Sequence, residues 1–268
     1  IVFEPVYDSY VPAIETVGGT AVYAQLTFPD YVPDWAQVAG LITPKTRMII
    51  VNSPHNPTGS LFSTVDREKL AKLISGTNIV VLSDEVYEHI LFDGEQHASL
   101  CAHPELAARS IVVSSFGKTY HITGWKIGYV VGPAALMAEF RKVHQFNVFT
   151  VHTPSQLALA EYMQDAERHL RLAAFYEEKR DFFRQLLAAT PFELLPCRGT
   201  YFQLARYDRI SDLPDRAFAE WMTRDVGVAV IPVSVFYANG RDNRVIRFCF
   251  AKQESTLRAA AERLCKAL

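Results

Sequence analysis

Apolar positions along the chain fall into short runs separated by segments in which they recur every three or four residues. The runs are TAVYAQL (20–26), RMIIV (47–51), IVVLS (79–83), RSIVVS (109–114) and IGYVV (127–131). Each has the length and β-branched content of a buried strand. Between the second and third lies STVDREKLAKLISGT, where Ser63 or Thr64 can cap a helix whose Leu70, Leu73 and Ile74 share one face. Strand, helix, strand in that order predicts an α/β fold: a mostly parallel sheet covered by helices on both faces. From Ala134 the texture changes to helical patterns, ALMAEFRKVHQF, SQLALAEYMQD and HLRLAAFYEEKRDFFRQLLAAT, with Met137, Phe140 and Val143 expected in the core. After Pro191 come short strand candidates, FELL, TYFQLA, VAVI and RVIRFCF, mixed with helices at DRAFAEWMTRD and ESTLRAAAERLCKA. The predicted organisation is a large domain over residues 1–168 and a smaller C-terminal α+β domain over 169–268, bridged by a long helix around 169–189.

Composition narrows the function classes. Hydrophobic residues are 49% and charged residues 21% of the 268, the balance of a globular chain. A net charge of -2 gives no footprint for nucleic acid or for an anionic membrane. No apolar run is long enough to span a bilayer. Cys101, Cys197, Cys249 and Cys265 lie far apart with no C-x-x-C or His/Cys ligand spacing, so no metal is expected and a reduced, cytoplasmic setting is. The first residues, IVF, run straight into EPVYDSY without an initiating methionine, which reads as an N-terminally truncated sequence.

The chemistry gathers where predicted strands end. RMIIV leads into NSPHNPTG (52–59), with Asn56 before Pro57 and a reversal near Gly59; IVVLS leads into DEVYE, with Asp84 at the strand end and Tyr87 three residues on; IVVSS leads into FGKTYHITGWKIG, with Lys118 just past its end. Carboxyl ends of parallel strands converge on one crevice, so an amide, a carboxylate, a phenol and an amine can meet there. Pyridoxal 5'-phosphate uses such a set: an amine for its aldehyde, a carboxylate for its ring nitrogen, and donors for its phenolic oxygen and phosphate.

Together, NSPHNPTG, SDEVYE, SSFGKTYHITGWKIG and VIRFCFA resemble the class I/II aminotransferases of pyridoxal-phosphate fold type I, most closely the branch of the methionine and kynurenine aminotransferases. The resemblance runs from Phe3 to the last helix. It implies that Lys118 is the Schiff-base lysine, that Asp84 partners the pyridine nitrogen, and that Asn56 and Tyr87 bind the phenolic oxygen. Ser115 and Lys126 are implied to hold the phosphate, with lysine standing where relatives often carry arginine, so that a bidentate fork is lost. Tyr7 matches the aromatic that stacks on the ring, and Arg247 the guanidinium that grips the substrate α-carboxylate. The implied reaction moves an amino group from an apolar or aromatic L-amino acid to a 2-oxo acid, and the implied assembly is a homodimer. The resemblance also implies that part of the phosphate site is supplied by residues upstream of Ile1.

Singly, each residue has a plainer reading: Lys118 a solvated charge, Asp84 a helix cap, Asn56 and Gly59 turn formers, Tyr7 a core aromatic, Arg247 a surface pair. Their joint order and spacing favours the cofactor site. His121 is expected to be structural, and His144 and His152 lack ligand spacing. Two alternatives share the fold: a cysteine-conjugate β-lyase, and the aminotransferase-like domain of a pyridoxal-phosphate-sensing transcriptional regulator. The resemblance implies that relatives selective for aspartate or glutamate take a second cation from the stretch matching FNVFTVHTP (146–154), which here contains no lysine or arginine and would leave a distal carboxylate without a partner.

Overall fold

The computed structural model describes residues 1–268. Four strands form its central sheet in the order β4 (Met48–Asn52), β5 (Val80–Asp84), β6 (Ser110–Ser115), β7 (Gly128–Val131). The first three are parallel and β7 returns antiparallel at the edge. Ahead of them, β1 (Val2–Glu4) pairs in parallel with β2 (Tyr23–Thr27), which pairs antiparallel with β3 (Val32–Pro33). Ile1 joins this unit to β4, donating to the Met48 carbonyl at 2.7 Å and accepting from the Ile50 amide at 2.9 Å. Near the C-terminus, β8 (Glu193–Leu194), β9 (Phe202–Arg206), β10 (Ile231–Pro232) and β11 (Val245–Cys249) build an antiparallel sheet in the order β10, β11, β9, β8.

In the large sheet the expected strands form about one residue further toward the C-terminus, so that polar Asn52, Asp84 and Ser115 end β4, β5 and β6; of the later candidates, FELL pairs only through Glu193–Leu194 and VAVI only through its last residue, Ile231. Helix Thr64–Ile74 starts at Ser63, whose hydroxyl accepts from the Asp66 amide at 3.1 Å while the Asp66 carboxylate accepts from the Ser63 amide at 3.0 Å. Leu70 and Ile74 are buried and Leu73 packs at the edge of the same core.

Three details differ from the sequence reading. The pattern around 169–189 is two helices, Glu167–Leu170 and Leu172–Leu187, broken at Arg171. The segment 215–225 is helical only to Trp221 before widening into a π-turn over Met222–Val226 that ends at Gly227 with φ +74°. Helix Ala134–Asn147 buries no residue, and Val143, expected in the core, is 61% exposed. Helical periodicity marks a face that needs covering; here Leu136, Met137 and Phe140 are only half-buried, and Val143 and Phe146 are left exposed.

Two apolar clusters make up most of the interior, and each draws on both halves of the sequence. One joins Tyr87, Ile90 and Phe92 to Tyr176, Phe183, Phe202, Phe248 and the last helix; the other joins Val51, Leu70 and Val81 to Leu195, Leu204, Phe236 and Val245. Arg180, on helix Leu172–Leu187, is 6% exposed and clamps the loop that follows Tyr87. It donates to both oxygens of Asp93 at 2.6 and 2.8 Å, to Asp181 at 2.8 Å and to the Cys197 carbonyl at 3.1 Å, and lies 4.7 Å from the Phe92 ring centre. Removing the two ends of this clamp has unequal consequences. Arg180→Ala should cost about 3 kcal/mol, because a buried carbonyl and an aromatic face lose their partner. Asp93→Ala should cost only about 1 kcal/mol, since Asp93 is solvent-exposed and Asp181 still neutralises the arginine. Urea titration of both variants checks the order; equal losses would show that the clamp does not work through the buried end.

Candidate active site

The parallel register brings the polar strand ends level. Asn52 lies beside Asp84, and Asp84 beside Val113. Asn52 Nδ2 donates to the Asp84 carbonyl at 3.0 Å, and Asn52 Oδ1 accepts from the Asn56 amide at 2.8 Å, so one amide ties the end of β5 to the turn that carries Asn56. Gly59 closes that turn at φ +73°, where a Cβ would sit 3.0 Å from the Gly199 carbonyl; its own carbonyl accepts from the amides of Arg198 and Gly199 at 3.0 and 3.1 Å. His55, buried in the same turn, has its Nδ1 at 2.7 Å from Thr58 Oγ1, and burial pushes its pKa down to about 3, which keeps the ring neutral.

All eight sequence-predicted residues, Tyr7, Asn56, Asp84, Tyr87, Ser115, Lys118, Lys126 and Arg247, line one cavity of about 570 Å³. Asp84 Oδ1 accepts from the Val86 amide at 3.2 Å, and Oδ2 accepts from the Tyr10 hydroxyl. Burial lifts the Asp84 pKa above the ordinary carboxylate value, with the Tyr10 and Val86 donors and the Lys118 charge pulling against it. Tyr87 is buried, and desolvation beside the Tyr201 phenol holds its hydroxyl protonated far above its usual range. The Lys118 ammonium lies 5.7 and 5.9 Å from the ring centres of Tyr201 and Tyr87 and pairs with no carboxylate.

Lys118 sits in a one-turn helix, Phe116–Thr119, capped by Ser115, whose Oγ accepts from the Gly117 amide at 3.1 Å. A Cβ at Gly117 would meet Thr123 Cα at 2.9 Å, and one at Gly128 would meet the Ser114 carbonyl at 2.4 Å, so both glycines are there to let the lysine segment fold back on itself. Lys126 ends the following 3₁₀ turn in the left-handed conformation, φ 55° and ψ 44°, an uncommon state for a residue with a Cβ and one concentrated at ligand sites. His121, expected to be structural, lies outside the cavity lining with Nδ1 at 3.3 Å from the Tyr176 hydroxyl.

Arg247, on β11, donates to Asn56 Oδ1 at 2.6 Å and lies between two rings, its guanidinium 4.0 Å from the centre of Phe202 and 5.2 Å from that of Phe236. It forms no ion pair, and burial lowers its pKa below the usual arginine value, so it favours an anionic ligand. Sequence reasoning missed Asn52, Thr123 and Phe202 in the lining and Tyr10 behind Asp84. Asn52 is one residue past the predicted strand end, and Tyr10 is one helical turn past Tyr7, a spacing that could have pointed to it. Phe202 carries no such signal, because its place follows from how β9 pairs with β11.

The donor set fits pyridoxal 5'-phosphate: two lysines and an arginine around one half-buried carboxylate suit a ligand that is anionic at its phosphate and cationic at its ring nitrogen. A family profile, "Aminotransferase class I and II", matches residues 1–264. The chain is 50% identical over 265 residues to the methionine aminotransferase of Escherichia coli K12, spanning 98% of this chain and 69% of that protein. It is 34% identical to kynurenine–oxoglutarate transaminase 1 of Rattus norvegicus, spanning 99% and 71%. A solved Escherichia coli structure described as identifying a methionine aminotransferase function superposes with a TM-score of 0.97 at 50% identity, over 99% of this chain and 70% of that one. Sequence, fold and the composition of the cavity converge, and the chain belongs to the class I and II aminotransferases, the pyridoxal-phosphate-dependent transaminases of fold type I.

Proposed function

We propose that the preferred amino donor is methionine or a similarly apolar or aromatic L-amino acid, and that a 2-oxo acid receives the amino group. The observation that carries this reading is the 50% identity to a methionine aminotransferase across nearly the whole chain. Supporting it, the cavity has one guanidinium, Arg247, and the segment 146–154 supplies no second cation for a distal carboxylate. A dicarboxylate would leave one charge unpaired, whereas thioether and aromatic side chains gain contact against aromatic walls.

In this reading Lys118 would hold the cofactor aldehyde, Asp84 would partner its ring nitrogen, Asn56 and Tyr87 its phenolic oxygen, Tyr7 its ring, and Ser115 and Lys126 its phosphate. When bound, the cofactor supplies an electron sink for the pair left on the substrate Cα. Arg247 orients the amino acid by a bidentate grip on the α-carboxylate, pre-set by the hydrogen bond to Asn56 and the rings on either side. Once the substrate amine has displaced it from the aldehyde, Lys118 Nζ would be free to take the Cα proton and later return a proton, so one amine serves as base and then acid. The proposal extends to a homodimer. Supporting it, Val143, Phe146, Phe149 and Leu157, close in sequence, are all largely exposed, Phe146 and Phe149 by 85% and 82%, an apolar exposure that a partner would cover. A reduced, cytoplasmic setting accords with four free cysteines.

Three outcomes follow. Borohydride reduction in the presence of pyridoxal 5'-phosphate, then peptide mapping, should place the pyridoxyl label on Lys118; a label elsewhere overturns that assignment. Asp84→Asn should leave this labelling intact yet slow exchange of the methionine Cα deuteron by about a hundredfold or more, and an unchanged exchange rate would remove Asp84 from its role. In a donor panel, methionine, phenylalanine or kynurenine should exceed aspartate in kcat/KM by about tenfold, roughly 1.4 kcal/mol of transition-state binding. Aspartate or glutamate ranking first would overturn the substrate assignment while leaving the enzyme class untouched.

A further inference from the structure

We propose that Tyr10 is the positioning residue for Asp84: its hydroxyl fixes one carboxylate oxygen from behind the cavity, keeping Asp84 ionised and oriented toward the cofactor ring. The proposal rests on the reading of Asp84 as partner of the ring nitrogen. Asp84 lines the cavity and Tyr10 does not. Tyr10 opens helix Tyr10–Thr16, with its amide donating to the Tyr7 carbonyl at 3.2 Å and its ring edge-on to that of Tyr7, the centres 5.4 Å apart. Its flank packs against the small apolar cluster of Val2, Val6 and Ile50, which fixes the ring before any ligand arrives.

A carboxylate has about four acceptor positions. In Asp84 the Val86 amide occupies one on Oδ1 and Tyr10 one on Oδ2, so the aspartate is held at both oxygens and still has capacity for a ligand. The other ionisable groups around it are Lys118, whose charge favours the anion, Glu85, whose charge opposes it, and the Tyr87 phenol, held protonated by burial; Asn52, bonded to the Asp84 backbone, is neutral. Glu85 turns to the opposite side, where its carboxylate accepts from Ser83 Oγ at 2.8 Å and the Leu100 amide at 3.1 Å and pairs with His97 at 2.8 Å. Tyr10 is therefore the one side chain that donates a hydrogen bond to the Asp84 carboxylate. Burial beside that carboxylate also keeps the phenol protonated far above its usual range, so it remains a donor at every working pH.

The test uses the full chain without cofactor, carbon-13-labelled at aspartate carboxyls, with the Asp84 signal assigned by its loss in Asp84→Asn. In Tyr10→Phe the Asp84 titration midpoint should rise by about one pH unit, because a donor to the charged form has gone. Affinity for 4-deoxypyridoxine 5'-phosphate, which keeps the ring nitrogen and phosphate but has no aldehyde, should fall about tenfold near pH 7, with the acid limb of binding moved to higher pH. In the Asp84→Asn background, Tyr10→Phe should have no further effect on that affinity. Should Tyr10→Phe not fold, 2,3-difluorotyrosine at position 10, a stronger donor of nearly the same shape, should move the midpoint downward. An unmoved Asp84 midpoint, or an equal loss of affinity in the Asp84→Asn background, overturns the proposal. If Asp84→Asn alone leaves analogue affinity unchanged, the ring-nitrogen reading of Asp84 fails instead, separately from the effect of Tyr10 on the titration.

Discussion

The level register of three parallel strands is the constraint on which the site depends. Peptide groups at the end of a buried strand must find partners, and here those partners belong to the site. The Asp84 carbonyl accepts from Asn52 Nδ2 and from the Ser53 amide at 3.0 Å each, and the Glu85 amide donates to the Val113 carbonyl at 2.9 Å. Satisfying the sheet and shaping the cavity floor are thus one act. A one-residue slip of β5 against β4 would turn Asp84 to the opposite face and bring Glu85 into the cavity, exchanging a carboxylate held by Tyr10 for one held by His97.

Charge is sorted around that floor. The single carboxylate stands at the end of β5, and the three cations stand on segments that approach from other directions: Lys118 and Lys126 from the fold-back between β6 and β7, Arg247 from the antiparallel C-terminal sheet. Arg247 differs from the lysines in kind. Its weakly hydrated guanidinium tolerates the space between Phe202 and Phe236, where an ammonium would forfeit more hydration, and its planar fork matches a carboxylate. Phe236 also accepts, through its carbonyl, from the Val6 amide at 2.7 Å, which links the segment bearing Tyr7 to the ring beneath the arginine.

Much of this was legible in the sequence because it is local. Strand ends, the Ser63 cap and the residues drawn into the cavity all follow from short-range patterns read against the geometry of parallel sheets. Less accessible were features fixed by pairing across long separations. Phe202 joins the cavity because β9 lies beside β11, and Asn52 because the strand runs one residue further than its apolar stretch. The misplaced core residues of helix Ala134–Asn147 show the opposite limit: periodicity gives the direction of an apolar face and says nothing about what meets it.

The two apolar clusters bear on how the activity can be lost. Tyr87 belongs to the cluster shared with the last helix, β4 brings Val51 into the cluster shared with Leu195 and Phe236 just before the turn that carries Asn56, and Arg247 lies on the strand that contributes to both. Neither cluster closes without chain from both ends of the sequence. A partly unfolded form would then lack not one wall of the cavity but the relation between walls, so there is no half-built site to retain a fraction of its chemistry. Heat, denaturant or a protease that opens either core should silence the whole site at once, and the cavity exists only as a property of the completed fold.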